Sequence, residues 1–526
     1  MWYNSSKESF PRGPLEVREG MEYFLGIDVG TTGCKVVLID ERGELRGKSV
    51  TEYPLYTPRP NWAEQNPEDW WQGTVQALKK VLEISGIDPR DVSGIGLTGQ
   101  MHGSVFLNDR GEVLRPAILW CDQRTARECQ EITEKVGLER IMSINCNPVL
   151  PGFTAPKILW VKNNEPEVYQ RISKVLLPKD YVRFRLSGEF ATDVSDASGT
   201  SLFDVPKRQW SEELIKALDF SPSWFPPSFE SPEVTGRIKR EVAGLLGMRE
   251  DVLVVAGGGD NAAGAIGTGI VRPGLVSASI GTSGVVFAFS DEVRVDPKGR
   301  VHTFCHAVPG KWHVMGVMLS AGGSLRWFRD VLGLEEKNMA MLLEKDAYEL
   351  LSEEAEKSVP GAEGLLFLPY LTGERTPHAD PFARGVFFGL TLKHRKNDLV
   401  RAVMEGVTFG MRDSFEIIRE MGIPIEEVRA IGGGARSPLW RKIQAAVYRV
   451  PLFGVKVDEG PAFGAALLAA VGRGVFRNVE EACAQAVAVT EKVLPDEHLM
   501  ARYEHLYRIW RDLYPALAPF YRRIAE

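Results

Sequence analysis

Long apolar runs are missing from this chain. No stretch is long and apolar enough to span a bilayer, which needs about 20 such residues in a helix. The residues before Gly20 scatter Lys7, Glu8, Arg12, Glu16, Arg18 and Glu19 among polar ones, so they lack the apolar centre of a secretory signal. They read as a flexible tail, with folded material starting near Met21. Cysteine is scarce: Cys34, Cys121, Cys129, Cys146, Cys305 and Cys483 are the only six in 526 residues, and no two form a Cys-x-x-Cys pair. That argues against a disulfide scaffold and fits reduced thiols in a cytoplasmic protein. A basic excess is missing too. Lys and Arg total 63 against 70 Asp and Glu, a net charge of −7, which argues against a general nucleic-acid binder. His302, Cys305, His306 and His313 sit close in sequence without structural-zinc spacing, and the segment alternates like paired strands. Neither a Walker phosphate loop nor a Rossmann Gly-x-Gly-x-x-Gly unit in the right context is present.

What is there is an ordered alternation. Tyr23–Ile27 is a short apolar run that ends in Asp28-Val29-Gly30-Thr31-Thr32-Gly33, and a second apolar run, Val36–Ile39, follows at once. This predicts a strand, a Gly/Thr loop and a returning strand. The pattern recurs half a chain later as Leu275–Ile280, Gly281-Thr282-Ser283-Gly284 and Val285–Phe289. A repeat at that distance predicts two similar domains rather than a short-period solenoid. Pro67–Ser85 has helical apolar spacing with Asn66 as its cap, and Asp398–Arg419 has it with Asn397 as cap. Pro438–Val447 is a further helix. Val92–Leu97, Asp251–Ala256 and Val428–Ile431 read as buried strands. Strands alternating with helices predict an α/β protein. Residues 1–20 are expected as the tail, 21–271 as the first domain and 272–526 as the second, with the final helix a candidate to pack back on the first.

Four Gly-rich segments follow apolar strands: Gly30–Gly33, Gly257–Gly259, Gly281–Gly284 and Gly432–Gly434. Glycine permits the close backbone approach that a phosphate chain needs, and strand ends are where α/β proteins hold ligands. Asp28 and Asp260 lie in two of these loops. Alone, a loop aspartate is usually a turn former. Two of them in candidate phosphate loops match what phosphoryl transfer requires, one carboxylate to take a hydroxyl proton and another to hold Mg²⁺. Trp62, Trp70, Trp71 and Trp120 could stack on a sugar, though core packing is the commoner use of tryptophan.

Several of these segments, taken together and in order, resemble the FGGY carbohydrate kinases from about Tyr23 to near the C-terminus. Leu25-Gly-Ile-Asp-Val-Gly-Thr-Thr32 is similar to the family's first phosphate loop, and Gly99-Gln100-Met101-His102-Gly103 to a sugar-binding turn. Gly152-Phe-Thr-Ala-Pro-Lys-Ile-Leu-Trp160 resembles the first family signature. Leu177-Pro-Lys-Asp-Tyr181 and Thr192-Asp-Val-Ser-Asp-Ala-Ser-Gly199 resemble its insertion region. Gly257-Gly-Gly-Asp-Asn261 resembles the loop of the catalytic aspartate, Gly385–Gly389 through Glu405 the second signature, and Gly432–Arg436 with Gly460–Ala465 the adenosine-side loops.

The resemblance implies two ribonuclease-H-like domains of the actin/hexokinase/Hsp70 type with the active site in the cleft between them. It implies ATP-dependent phosphorylation of a small sugar, and the Met101-His102 turn points to D-xylulose becoming D-xylulose 5-phosphate. Asp260 is then the general base and Asp28 its catalytic partner, with both able to hold Mg²⁺. Gln100, Met101, His102, Asp260 and Asn261 would bind the sugar. Gly30, Thr31, Thr32, Gly281, Thr282, Ser283, Gly433, Gly434, Ala435 and Arg436 would bind ATP. The implied partners are small molecules, with no nucleic acid and no membrane, and pairing with a second copy stays open. Rival readings are a kinase of the same family for ribulose, glycerol or gluconate, an ATPase of the same superfamily, and a catalytically silent sugar sensor.

Overall fold

The computed structural model describes residues 20–457 and 459–525. All of the expected tail except Gly20 lies outside them. The chain divides into two compact units. The first holds the described residues up to Val271 with Phe304–Trp312 and Glu459–Val487; the second holds Arg272–Thr303, His313–Asp458 and Ala488 onward. The chain thus leaves the first unit at Val271 but returns to it twice. No helix among the described residues is long and apolar enough to cross a membrane.

The first unit is built on a seven-stranded mixed sheet. Tyr23–Val29 pairs antiparallel with Gly33–Asp40, so the expected hairpin is present, with Asp28 opposite Lys35. On its other edge Tyr23–Val29 runs parallel to Val92–Gly99, with Asp28 beside Thr98 and Val29 beside Gly99. The short strand Gly258–Gly259 then runs parallel to Val92–Gly99, with Gly259 beside Gly99. Leu253–Val255 continues the sheet parallel to Val92–Gly99, and Val234–Arg237 and Leu45–Glu52 close its edges. Every residue of Val92–Gly99 is buried, as expected for a parallel strand covered on both faces.

One face is covered by the helix Pro67–Ser85. Its cap is as expected: the Asn66 side chain accepts from Glu68 N, and Gly86 ends the helix at φ 66°. Trp70, Leu78 and Val81 of this helix join Leu25, Ile27, Val36 and Leu97 in one core. The other face is covered by Gly460–Arg473, far away in sequence, and here the approach is backbone to backbone. A Cβ on Gly26 would lie 1.8 Å from Ala462 O, and one on Gly96 would lie 1.9 Å from Ala465 O. The same helix meets Asp260–Thr268 just as closely, since a Cβ on Gly464 would lie 1.8 Å from Ala263 O.

The second unit repeats the plan. Gly274–Ile280 pairs antiparallel with Gly284–Ser290 and parallel with Ile425–Ile431, which in turn runs parallel to Leu452–Val455. Val489–Val493 closes one edge, and Trp312–Met318 and His302–Cys305 the other. The internal repeat seen in the sequence is therefore the centre of both sheets. The long helix of this unit runs Lys396–Glu420. It begins one residue before Asn397, so that residue is not its cap; instead the Asp398 carboxylate accepts from Arg395 N at 2.9 Å. The final helix, Glu497–Ala525, belongs to the second unit. Trp510 donates to Phe367 O at 2.8 Å, and Tyr503 donates to Glu405 Oε1 at 2.8 Å.

The close helix-on-strand contact predicts a strict size limit at Gly96. Gly96→Ala should lower stability by about 1–3 kcal/mol, because the added methyl forces the Gly460–Arg473 helix off the sheet. Urea unfolding monitored by far-UV circular dichroism reads this directly, and an unchanged midpoint would contradict the packing.

Candidate active site

Three parallel strand ends lie side by side in the first unit, and each carries part of the predicted site. Tyr23–Val29 delivers Asp28 and leads into Gly30-Thr31-Thr32. Val92–Gly99 leads into Gln100-Met101-His102. Gly258–Gly259 leads into Asp260 and Asn261, which open the helix Asp260–Thr268. The structure therefore places the first-unit residues that the resemblance assigned to the sugar, the phosphates and Mg²⁺ at neighbouring strand ends.

Asp28 and Asp260 keep part of their surface open, yet protein surrounds both deeply. Burial pushes the Asp28 carboxyl up to about 7; the charge of Asp260 adds to the rise and Lys35 opposes it. Burial likewise pushes Asp260 up to about 6, against hydrogen bonds from Asn261, whose backbone N and Nδ2 donate to Asp260 Oδ1 at 2.7 and 2.9 Å. Two carboxyls raised by burial, one of them also by the charge of the other, suit a divalent cation, whose charge relieves both.

The Gly30–Gly33 loop is held internally by Gly30 N donating to Gly33 O at 3.1 Å, and from outside by Tyr53, whose hydroxyl donates to Gly30 O at 2.6 Å. Polar side chains then tie this loop to the next one. Trp120 Nε1 donates to Thr31 Oγ1 at 3.0 Å, and that hydroxyl donates to Gln100 Oε1 at 3.3 Å. Gln100 Nε2 donates to Gln65 Oε1 at 2.9 Å, and Gln65 Nε2 donates to Thr31 O at 2.7 Å. Of the four tryptophans considered from the sequence, Trp70 and Trp71 are core residues, and Trp62 lies under the Arg124 guanidinium at 3.6 Å. Trp120 alone among them touches the loop residues, and it is 37% exposed.

His102 sits at the tip of a strained turn. Its φ is 67°, and Gly103 N donates to Met101 O at 2.8 Å across it, the pattern of a γ-turn. The turn is clamped. Thr154 Oγ1 and Lys157 Nζ donate to His102 O at 3.1 and 2.9 Å, and Lys157 Nζ also donates to Gly152 O at 2.7 Å. The imidazole stacks on Phe153 with centroids 4.5 Å apart, and Nδ1 lies 2.7 Å from Gly199 O. A carbonyl only accepts, so Nδ1 carries the hydrogen in that bond. Lys157 is fully buried, and desolvation pushes its pKa down to about 7 against the pull of Asp122. Thr154 and Lys157 stand in a quoted signature, but the sequence assigned them no task. The available signal was a lone lysine between Phe153 and the apolar run Ile158–Val161.

The remaining predicted residues lie in the second unit, again at parallel strand ends. Gly281-Thr282-Ser283 joins Gly274–Ile280 to Gly284–Ser290, and Gly281 N donates to Ser283 O at 3.0 Å, the counterpart of the Gly30–Gly33 bond. Gly433, Gly434, Ala435 and Arg436 follow the neighbouring strand Ile425–Ile431 in a short 3₁₀ turn. Gly434 is packed so tightly that a Cβ would lie 2.6 Å from the Ile280 side chain. His302 and His306 are buried, and burial pushes each down to about 3, so both imidazoles are neutral.

Two α/β units on one sheet plan, each ending its central parallel strands in Gly/Thr loops, define a class of phosphate-handling protein. Family models place this chain within it. Residues 23–267 match the N-terminal domain and residues 276–473 the C-terminal domain of the FGGY family of carbohydrate kinases, and the chain belongs to that family. It is a sugar kinase, with ATP as co-substrate. It is 44% identical to a xylulose kinase of Escherichia coli (strain K12) over 94% of this chain and 99% of that one. It is 40% identical to a xylulose kinase of Bacillus subtilis (strain 168) over 94% and 97%. Among solved structures it is similar to the xylulose kinase from Rhodospirillum rubrum, with a TM-score of 0.88 at 31% identity, covering 95% of this chain and 100% of that one.

The clamp on His102 predicts that Lys157→Met loses about 1–3 kcal/mol of stability, since two buried carbonyls lose their shared donor. Guanidinium unfolding of the two proteins side by side measures it. Equal midpoints would show that Lys157 does not hold the turn.

Proposed function

We propose that this protein phosphorylates D-xylulose on its 5-hydroxyl, giving D-xylulose 5-phosphate and ADP. The observation that carries this reading is the near full-length likeness to proteins named xylulose kinase, at 40–44% identity. The shape of the turn around His102 is consistent with it. A 2-ketopentose closes a five-membered ring only by spending its 5-hydroxyl, so the group to be phosphorylated is free in the open chain. An extended polyol needs a hydrogen-bond partner for each hydroxyl, and a rigid polar turn supplies partners at fixed positions. We assign this role to Gln100, Met101, His102 and Asn261.

In the reaction the sugar O5 attacks the γ-phosphorus, the bond from that phosphorus to the β-bridging oxygen breaks, and the hydroxyl proton passes to Asp260. The transition state is loose, so orientation of the hydroxyl and late acceptance of the proton suffice. Asp260 is suited to this because a carboxyl raised to about 6 is a stronger base than an exposed aspartate and is still ionised at neutral pH. Asp28, with Asp260, is assigned to hold Mg²⁺, which when bound neutralises phosphate charge. Gly30, Thr31 and Thr32 of the first unit, and Gly281, Thr282, Ser283 and Gly433–Arg436 of the second, are assigned to ATP. The cytoplasm, where ATP is supplied, is the compartment this chemistry calls for.

ADP release across a sugar panel tests the substrate. D-xylulose should give the highest kcat/KM, with D-ribulose, glycerol and gluconate each lower by about tenfold or more, because polar groups left unpaired by a poor fit are costly. A preference for glycerol or gluconate would defeat the proposal.

Asp260→Ala should lose about 100-fold or more in kcat while ATP binding stays within about twofold, as expected for loss of a general base. In the wild type the sign of the pH effect follows from the raised pKa. The base works only when ionised, so kcat/KM, which reports the free enzyme, should fall as pH drops through about 6, tenfold per unit below it. Near-wild-type turnover of the variant would remove Asp260 from the mechanism, and a flat profile down to pH 4.5 would refute its raised pKa.

A further inference from the structure

The segment Thr192–Gly199 carries side chains that neither sugar binding nor phosphate binding uses, and all of its residues are buried. We propose that it is a positioning element that ties the Met101–His102 turn to the loop bearing Asp260, with Ser195 as its acting hydroxyl and Gly199 as its contact to the turn. This rests on the reading of Asp260 as general base.

At one end of the segment, Gly259 N donates to Ser195 Oγ at 3.0 Å, one residue before Asp260. Ser195 Oγ donates in turn to Asp193 Oδ2 at 2.5 Å, and Ser195 N donates to the same oxygen at 2.7 Å. Asp193 is anchored from below by Lys179, whose Nζ lies 2.9 Å from Asp193 Oδ1, 2.6 Å from Asp180 Oδ1 and 3.1 Å from Asp196 Oδ2. Arg183, beside Asp180, donates from Nη1 to Val255 O at 2.6 Å and from Nη2 to Ala256 O, so it grips the strand that enters the same loop. Burial raises the pKa of Asp196, which moves these three carboxyls and two cations toward charge balance. Every member of the set is 0–1% exposed.

At the other end, Gly199 O meets His102 Nδ1 at 2.7 Å. Gly199 also leaves room for the ring: a Cβ there would lie 2.5 Å from both His102 Cε1 and Nδ1, and 3.0 Å from Met101 Cε. The two ends touch a common neighbour, because a Cβ on Gly259 would lie 3.0 Å from Met101 Sδ. One rigid stretch of backbone thus fixes the turn assigned to the sugar and the loop of the base relative to each other. A charge cluster kept only for stability would need neither the serine relay to Gly259 nor the carbonyl aimed at His102. Buried charges are costly to separate, and Lys179 lies within 3.1 Å of all three carboxylates, so few other arrangements of the cluster keep these ion pairs.

The test is a double-mutant cycle on the full chain. Ser195→Ala should lower kcat for D-xylulose about tenfold or more, through displacement of the base, with the ATP KM within about twofold of wild type. In the Asp260→Ala background the same substitution should change the residual turnover by less than about twofold, because a positioning residue has nothing left to position. Gly199→Ala, which leaves Ser195 intact, should raise the D-xylulose KM about fivefold or more while kcat stays within about twofold. Equal losses from Ser195→Ala in both backgrounds would overturn this proposal alone. Near-wild-type turnover of Asp260→Ala would overturn the reading beneath it, and this proposal with it. Should Ser195→Ala fail to fold, Gly199→Ala decides: an unchanged sugar KM overturns the proposal.

Discussion

The glycines at 26 and 96 allow the Gly460–Arg473 helix to rest on strand backbone, with helix carbonyls less than 2 Å from where a Cβ would stand. Much of the first unit depends on that contact. It covers the face of the sheet that Pro67–Ser85 does not, so the parallel strands Tyr23–Val29 and Val92–Gly99 are dry on both sides. It also brings the helix against Asp260–Thr268, whose first residue is Asp260. A strand can end in a polar, open loop at this depth only if its interior is held firmly, since loop backbone otherwise carries unsatisfied groups. The second unit also relies on close approach at glycine, since a Cβ on Gly434 would lie 2.6 Å from the Ile280 side chain.

The chemistry assigned to this protein draws on burial twice, with opposite signs. Around Asp28 and Asp260, partial desolvation raises both carboxyls toward neutral pH and makes them responsive to a cation or to a hydroxyl proton. Around Lys157, full desolvation pulls an ammonium down, so the lysine acts as a donor to two carbonyls and not as a free charge. Lys179 and Arg183 show the contrasting case, in which aspartates and backbone carbonyls surround the cations. Lys157 and Arg183 hold backbone near the turn and the loop, and Lys179 holds the aspartates beside them. A buried cation is an expensive brace, and it is rigid because every alternative position leaves a charge unpaired.

Rigidity matters most at His102. A γ-turn with φ 67° is unfavourable for a side chain with a Cβ, so the turn persists only because its surroundings over-determine it. Four groups from two different segments do so: Thr154 and Lys157 on the carbonyl, Phe153 and Gly199 on the ring. Strain held in this way fixes the imidazole in one place, so the sugar binding proposed for this turn would carry a lower ordering cost.

Much of the fold and site was legible in the amino-acid sequence. Short apolar runs ending in glycine loops located the central strands and period-3.6 patterns the helices, Asn66 marked a helix start, and the repeated Gly-Thr loops announced two units on one plan. The resemblance picked out the residues at the three strand ends. These features are local or periodic, and local chemistry dictates them: an apolar run followed by Gly-Thr has few conformations available. The sequence could not show that Glu459–Val487 returns to the first unit, that the final helix stays with the second, or that Asp398 caps its own helix start in place of Asn397. Nor could it show that Lys157 and Ser195 brace the turn and the loop. Apart from the Asp398 cap, which is a local contact to Arg395, those facts depend on pairs far apart in the chain, such as Ser195 with Gly259 and Gly26 with Ala462. A single sequence carries no record of such distances, and only the packed tertiary structure decides which distant groups meet.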